Sequence, residues 1–156
     1  GYAVLELLFY ISFFAMLSLA VISAMVTMIG SFKETAFYTE LVQSAGIMER
    51  IGREIRGAES IHTIGATSLK LNTKDDVGAG KTVEFRLTGT DIELLENDTL
   101  TGSLNAPNIA VNALSFTQVT TLQGLAVKIS TTLASNSDKA GRTFDFFDTV
   151  VLRGSY

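Results

Sequence analysis

GYAVLELLFYISFFAMLSLAVISAMVTMIG, residues 1–30, is apolar throughout apart from one acid, Glu6. From position 7 to position 32 no side chain carries a charge, a longer run than the ~20 residues with which an α-helix crosses a bilayer. A secretory signal has a basic leading segment, an apolar stretch of ~7–15 residues and a small-residue cleavage site; this run is longer, and no basic residue precedes it. A core helix apolar on every face needs protein all round it, more than a chain of 156 residues supplies. The run therefore reads as a helix that resides in a membrane, in a bundle of like helices, or in each at different times.

The helical pattern does not stop at residue 32. Through SFKETAFYTELVQSAGIMERIGREIRGAESI, apolar residues recur at Leu41, Met48, Ile51, Ile55 and Ala58, the spacing of one helix face. Glu49, Arg50, Arg53, Glu54 and Arg56 fall on the opposite face, where Glu49 with Arg53 and Arg50 with Glu54 are spaced as ion pairs, each contributing a few tenths of a kcal/mol. No Pro interrupts residues 1–60, and the glycines there only weaken the helix locally. One helix of about 55 residues is expected, roughly 80 Å long at 1.5 Å per residue.

From about residue 60 the apolar period changes to two. Ser68–Leu71 is a short alternating piece, and KTVEFRLTGTDIELLEN reads as a hairpin with Val83, Phe85 and Leu87 on one face and its turn at Thr88–Asp91. NIAVNALSFTQV, GLAVKISTTLAS and RTFDFFDTVVLR follow as further strands, separated by TTLQG and SNSDKAG. Strands that follow a helix without interleaved helices form an antiparallel sheet on it. The expected class is α+β: residues 1–32 as membrane or filament-core helix, and 33–156 as a head made of the rear of the helix (33–60) and the sheet (61–156).

GYAVLELL at the head of an uninterrupted apolar helix resembles the processing motif of type IV pilins and type II secretion pseudopilins. IGREIRGAESI, LNAPNIAVNALSFTQV and TFDFFDTVVLRGSY are similar, more loosely, to the minor-pilin and J-type pseudopilin branch. The resemblance implies that the leader peptidase cuts after Gly1, that Tyr2 is the new, often N-methylated, N-terminus, and that Glu6 is the family's glutamate, paired in the filament with the amine of a neighbouring subunit. It also implies a pilin fold and a structural rather than enzymatic role. The partners it implies are copies of the chain, other pilins, the prepilin peptidase, an inner-membrane assembly platform and the membrane before assembly. A minor or tip pseudopilin of a secretion system, and a membrane-anchored extracellular module that never polymerises, are the alternatives. The chain departs from many major pilins in having Ser23 where they have Pro. Any break in the helix would then fall to Gly30 or to the hydroxyls of Ser12, Ser18, Ser23 and Thr27, which can bond back to the backbone, so an unbroken helix is expected.

An ionised carboxylate in hydrocarbon costs at least ~2.5 kcal/mol, so Glu6 either meets a partner or, near the chain's end, reaches the lipid headgroups. A net charge of −4 and the lack of a Lys/Arg cluster argue against nucleic-acid binding. With no Cys, disulfides and thiolate sites are excluded. DVGAGK (76–81) lacks the spacing and Ser/Thr of a phosphate-binding loop. Asp75 and Asp76 have no calcium-binding ladder around them, and His62, the only His, has no partner for metal or nucleophilic chemistry in the pattern. Asn97-Asp98-Thr99 matches a glycosylation sequon. No cofactor and no catalytic residue are expected.

Overall fold

The structure, a computed structural model, describes residues 1–121, 124–138 and 141–153. Residues 122–123, 139–140 and 154–156, within the stretches read above as TTLQG, SNSDKAG and the C-terminal RGSY, lie outside the described residues, as do the side chains at 37, 41 and 121. The expected apolar contact of Leu41 falls among these.

Among the described residues a single helix, α1 (Tyr2–Gly57), is followed by eight strands: β1 (Ser60–Ile64), β2 (Ser68–Lys74), β3 (Gly80–Thr88), β4 (Asp91–Glu96), β5 (Thr99–Ser103), β6 (Ile109–Thr121), β7 (Gly124–Ser135) and β8 (Thr143–Val151). The described residues divide into two compact units, Gly1–Tyr38 and Thr39–Tyr156. The helix is unbroken at Ser23 and Gly30, as the lack of Pro dictates. Within the first unit the hydroxyls turn inward: Ser12 donates to the Leu8 carbonyl at 2.8 Å, Thr27 to Ser23 at 3.0 Å and Ser31 to Thr27 at 3.2 Å. Such back-bonds let a hydroxyl sit in apolar surroundings without a partner of its own. One window of this helix is long and apolar enough to cross a membrane, and none of that window is buried within the chain.

The second unit is α+β. Its strands form two antiparallel sheets, one with order β1-β2-β3-β4-β5 and one with order β6-β7-β8. The expectation of an antiparallel sheet behind the helix is met, with the strands shared between two. The β3–β4 hairpin closes through a two-residue turn, Thr88 pairing with Asp91 around Gly89 at φ 63°; Val83 and Phe85 are buried and Leu87 packs beside them. Along β6 the buried positions are Ile109 and Val111, then Leu114 and Phe116. The change from odd to even follows from a bulge at Asn112, where the register shifts between Val111 and Ala113: one extra residue moves every later side chain to the other face.

Both sheets and the rear of α1 share one core. Ile47, Met48, Ile51 and Ile55 from the helix pack with Leu69, Leu71, Phe85, Ile92, Val111, Ile129 and Leu133, all nearly or fully buried. At ~25 cal/mol per Å² of apolar surface, each such side chain contributes about 1.5–3 kcal/mol. Gly52 lies in the same buried face; a Cβ there would stand 3.5 Å from the Val150 methyl of β8. Backbone bonds also stitch the sheets together, Val111 N–H to the Thr90 carbonyl at 2.9 Å and Phe116 N–H to Ala66 at 3.2 Å.

Candidate functional site

In the first unit, Glu6 is exposed on the helix surface, and its Oε1 accepts a hydrogen bond from the Tyr10 hydroxyl one turn on, at 3.4 Å. Tyr2, one turn before Glu6, is 93% exposed, and Gly1 is exposed beside it. Spacing of four along a helix puts Tyr2, Glu6 and Tyr10 on one face. Among the described residues Glu6 has no cationic partner. Around this polar line the surface is wholly apolar: Leu8, Phe9, Phe13 and Met16 frame a hollow beside Ser12, and every large apolar side chain from Val4 to Phe32 is at least half exposed. An apolar patch of that extent marks a surface that something apolar covers.

The second unit carries polar features that the sequence did not single out. Glu40 lies on the buried face of α1, 8% exposed, in line with Ser44, Ile47 and Ile51. Its Oε1 accepts from the Asn108 amide of the β5–β6 connection at 2.8 Å and from the Ser137 hydroxyl of the β7–β8 connection at 2.7 Å. Ser137 Oγ is itself 2.9 Å from Ser135 Oγ, which accepts the Ser137 and Asp138 amides. The Ser135 hydroxyl first, then those of Ser137 and the Asn108 amide, hold the Glu40 carboxyl below the usual carboxylate range, against burial and the Asp138 charge, which push it up. The other oxygen, Oε2, is buried without a hydrogen-bond partner. The arrangement ties the helix to two loops.

Asn105 does similar work between the sheets. Buried, it accepts the Ile92 amide at 2.9 Å and donates to Asp91 Oδ1 at 2.8 Å and the Ile109 carbonyl at 2.7 Å. Asn97 and Asp98, at φ 50° and 63°, form the two-residue turn of the β4–β5 hairpin. The Asn97 side chain is anchored through Oδ1, which accepts the Thr82 amide at 3.0 Å. Asp75 Oδ1 accepts the amides of Val77 and Ala79 at 3.0 and 2.7 Å and so shapes the β2–β3 turn, while His62 is exposed on β1 at a register shift. No cluster of three His, Asp, Glu or Cys side chains that could hold a metal occurs among the described residues.

The expected helix-surface ion pairs do not form. Neither Glu49 with Arg53 nor Arg50 with Glu54 is paired among the described residues. Arg53 and Arg56 instead line a cleft with Gly57, Arg153 and Thr149–Val151 of β8. Spacing alone does not hold two long side chains in one geometry on a solvated face, where such a pair contributes little.

One long apolar N-terminal helix followed by antiparallel sheets is consistent with a pilin-like architecture. No protein-family model matches the chain, and neither a curated protein nor a solved structure matches it.

Proposed function

We propose that the chain is a structural subunit of a type IV pilus or pilus-like filament. It would be held in the membrane by the front of α1 before assembly, and packed through that segment into the filament core afterwards. The observation that carries this reading is Glu6, the lone acid in the apolar front of α1, where every large apolar side chain from Val4 to Phe32 is at least half exposed among the described residues. A carboxylate moved into hydrocarbon costs ~2.5 kcal/mol or more, and the amine of a neighbouring chain, at Tyr2 once the bond after Gly1 is cut, offsets that cost only in one axial register. A single buried polar pair fixes register in helical assemblies in this way. In the filament, Tyr2 and Glu6 act as assembly residues and Gly1–Tyr2 as the processing site. The minor-pilin and J-type pseudopilin resemblance of the head favours a minor or tip subunit, with secretion, adhesion and motility as the roles open to such a filament.

Glu6→Ala tests the reading. The variant is expected in the membrane fraction at the wild-type level and absent from filaments purified by shearing and identified by electron microscopy and mass spectrometry. Normal incorporation of the variant would sink the assigned role of Glu6, and a wild-type chain that stays monomeric in the membrane would support an anchored display module instead.

A further inference from the structure

Three of the six arginines of the chain, Arg53, Arg56 and Arg153, line one cleft of about 560 Å³ beside Thr149–Val151 of β8. Elsewhere on the head Lys70, Lys74, Lys81, Arg86 and Arg142 are each ion-paired with a carboxylate. Among the described residues the cleft arginines have no such partner. Asp148 is also near Arg56: its Oδ2 lies 3.6 Å, and Arg56 Nη2 3.7 Å, from the point where a Gly52 side chain would begin. Three guanidinium groups without an ion pair among the described residues make the cleft a basic feature of a chain of net charge −4. Guanidinium forks gathered without an ion-pair partner suit carboxylates, which they bind in bidentate geometry.

The head carries a feature of matching chemistry. The β2–β3 turn presents Asp75 and Asp76 together, followed by Val77, which at 89% exposure is the most exposed large apolar side chain among the described residues of the head. Asp75 fixes the turn through one oxygen, as described, with Gly78 supplying the positive φ of 85°. Neither acid is ion-paired among the described residues. On the other side, Val151 is 39% exposed at the cleft, an apolar counterpart for Val77 next to the charges.

We propose that the Asp75-Asp76-Val77 turn of one copy seats in the Arg53/Arg56/Arg153 cleft of a second copy. The two surfaces are different segments of the same head, so each copy offers both halves and the contact is heterologous: it repeats from copy to copy rather than ending in a pair. The inference deepens the filament-subunit reading and rests on it, adding a head contact to the contact made by the helix.

Because the chain has no Cys, two introduced thiols report on this contact alone. Full-length protein carrying Val77→Cys and Val151→Cys, oxidised in assembled material, is expected to give a ladder of disulfide-linked multimers, and each single variant none. Adding Asp75→Arg and Asp76→Arg should cut the ladder roughly tenfold, and further adding Arg53→Glu and Arg153→Glu should restore it. Raised salt should weaken it, since the charges are solvent-facing. Filaments that form normally while the double-cysteine chain gives no multimers overturn the head contact and leave the role of Glu6 standing. A ladder from the Glu6→Ala chain together with its normal incorporation into filaments leaves the head contact standing and removes the assigned role of Glu6. A ladder indifferent to charge reversal, or saturable binding of inorganic phosphate to the cleft without any ladder, also overturns it.

Discussion

Glu40 is the residue whose environment most directly sets a measurable property of the head. Its carboxyl is held below the usual value of 4.5 by hydroxyl and amide donors, so the charged form is favoured by folding. The stability it contributes is present above that ordinary value and is lost as pH falls through the depressed one. Chemical denaturation at stepped pH is therefore expected to show the head weakening below about pH 4.5, and Glu40→Gln is expected to flatten that part of the profile. At neutral pH, Glu40→Ala leaves the donors of Asn108 and Ser137 without their acceptor and should cost about 1–3 kcal/mol. Glu40→Gln keeps an acceptor at Oε1 and should cost less. None of this was legible in the sequence, because a lone Glu on a helix otherwise lined with Glu and Arg reads as a solvated side chain; only the loops that reach it from 108 and 137 bury it.

At the scale of elements, the rear of α1 shows what the pattern could and could not convey. The 3.5-residue apolar spacing identified Met48, Ile51, Ile55 and Ala58, and all four are buried. Ile51→Ala should lower the stability of the head by about 2–5 kcal/mol in equilibrium denaturation, the range for a fully buried aliphatic side chain cut to a methyl. Gly52, on the same face, has room for more: its neighbours lie at ordinary van der Waals separation from an added Cβ. Gly52→Ala is accordingly expected to raise stability by about 0.5–1 kcal/mol through helix propensity, while Gly52→Leu should lower it by crowding Val150. The strands were readable where both flanks of the alternation are paired, as in the β3–β4 hairpin and in β7, whose bounds match the GLAVKISTTLAS stretch. β1 and β5 were not, because each is a five-residue edge strand with mostly exposed side chains and so carries little apolar alternation. The division into two sheets was equally hidden: it depends on Asn105 and the β5–β6 connection, whose polar side chains have no period to read.

For the whole molecule, the exposed apolar run of residues 7–32 is expected to dominate its behaviour in water. Phase separation in a mild detergent should carry the full chain into the detergent phase. Met16→Arg, which adds a charge in the middle of the apolar run at a cost of ~2.5–3.5 kcal/mol, should shift it measurably toward the aqueous phase and reduce membrane recovery in cells, without altering the thermal unfolding of the head. In both sheets every strand pairs with its neighbour in the chain, so each strand after the first of its sheet finds a partner already made, and the first waits only for the next. Contacts that are short in sequence close quickly. A chain emerging N-terminus first can thus lay down β1 to β5 and then β6 to β8 in the order of synthesis, exposing an unpaired edge only briefly at each step.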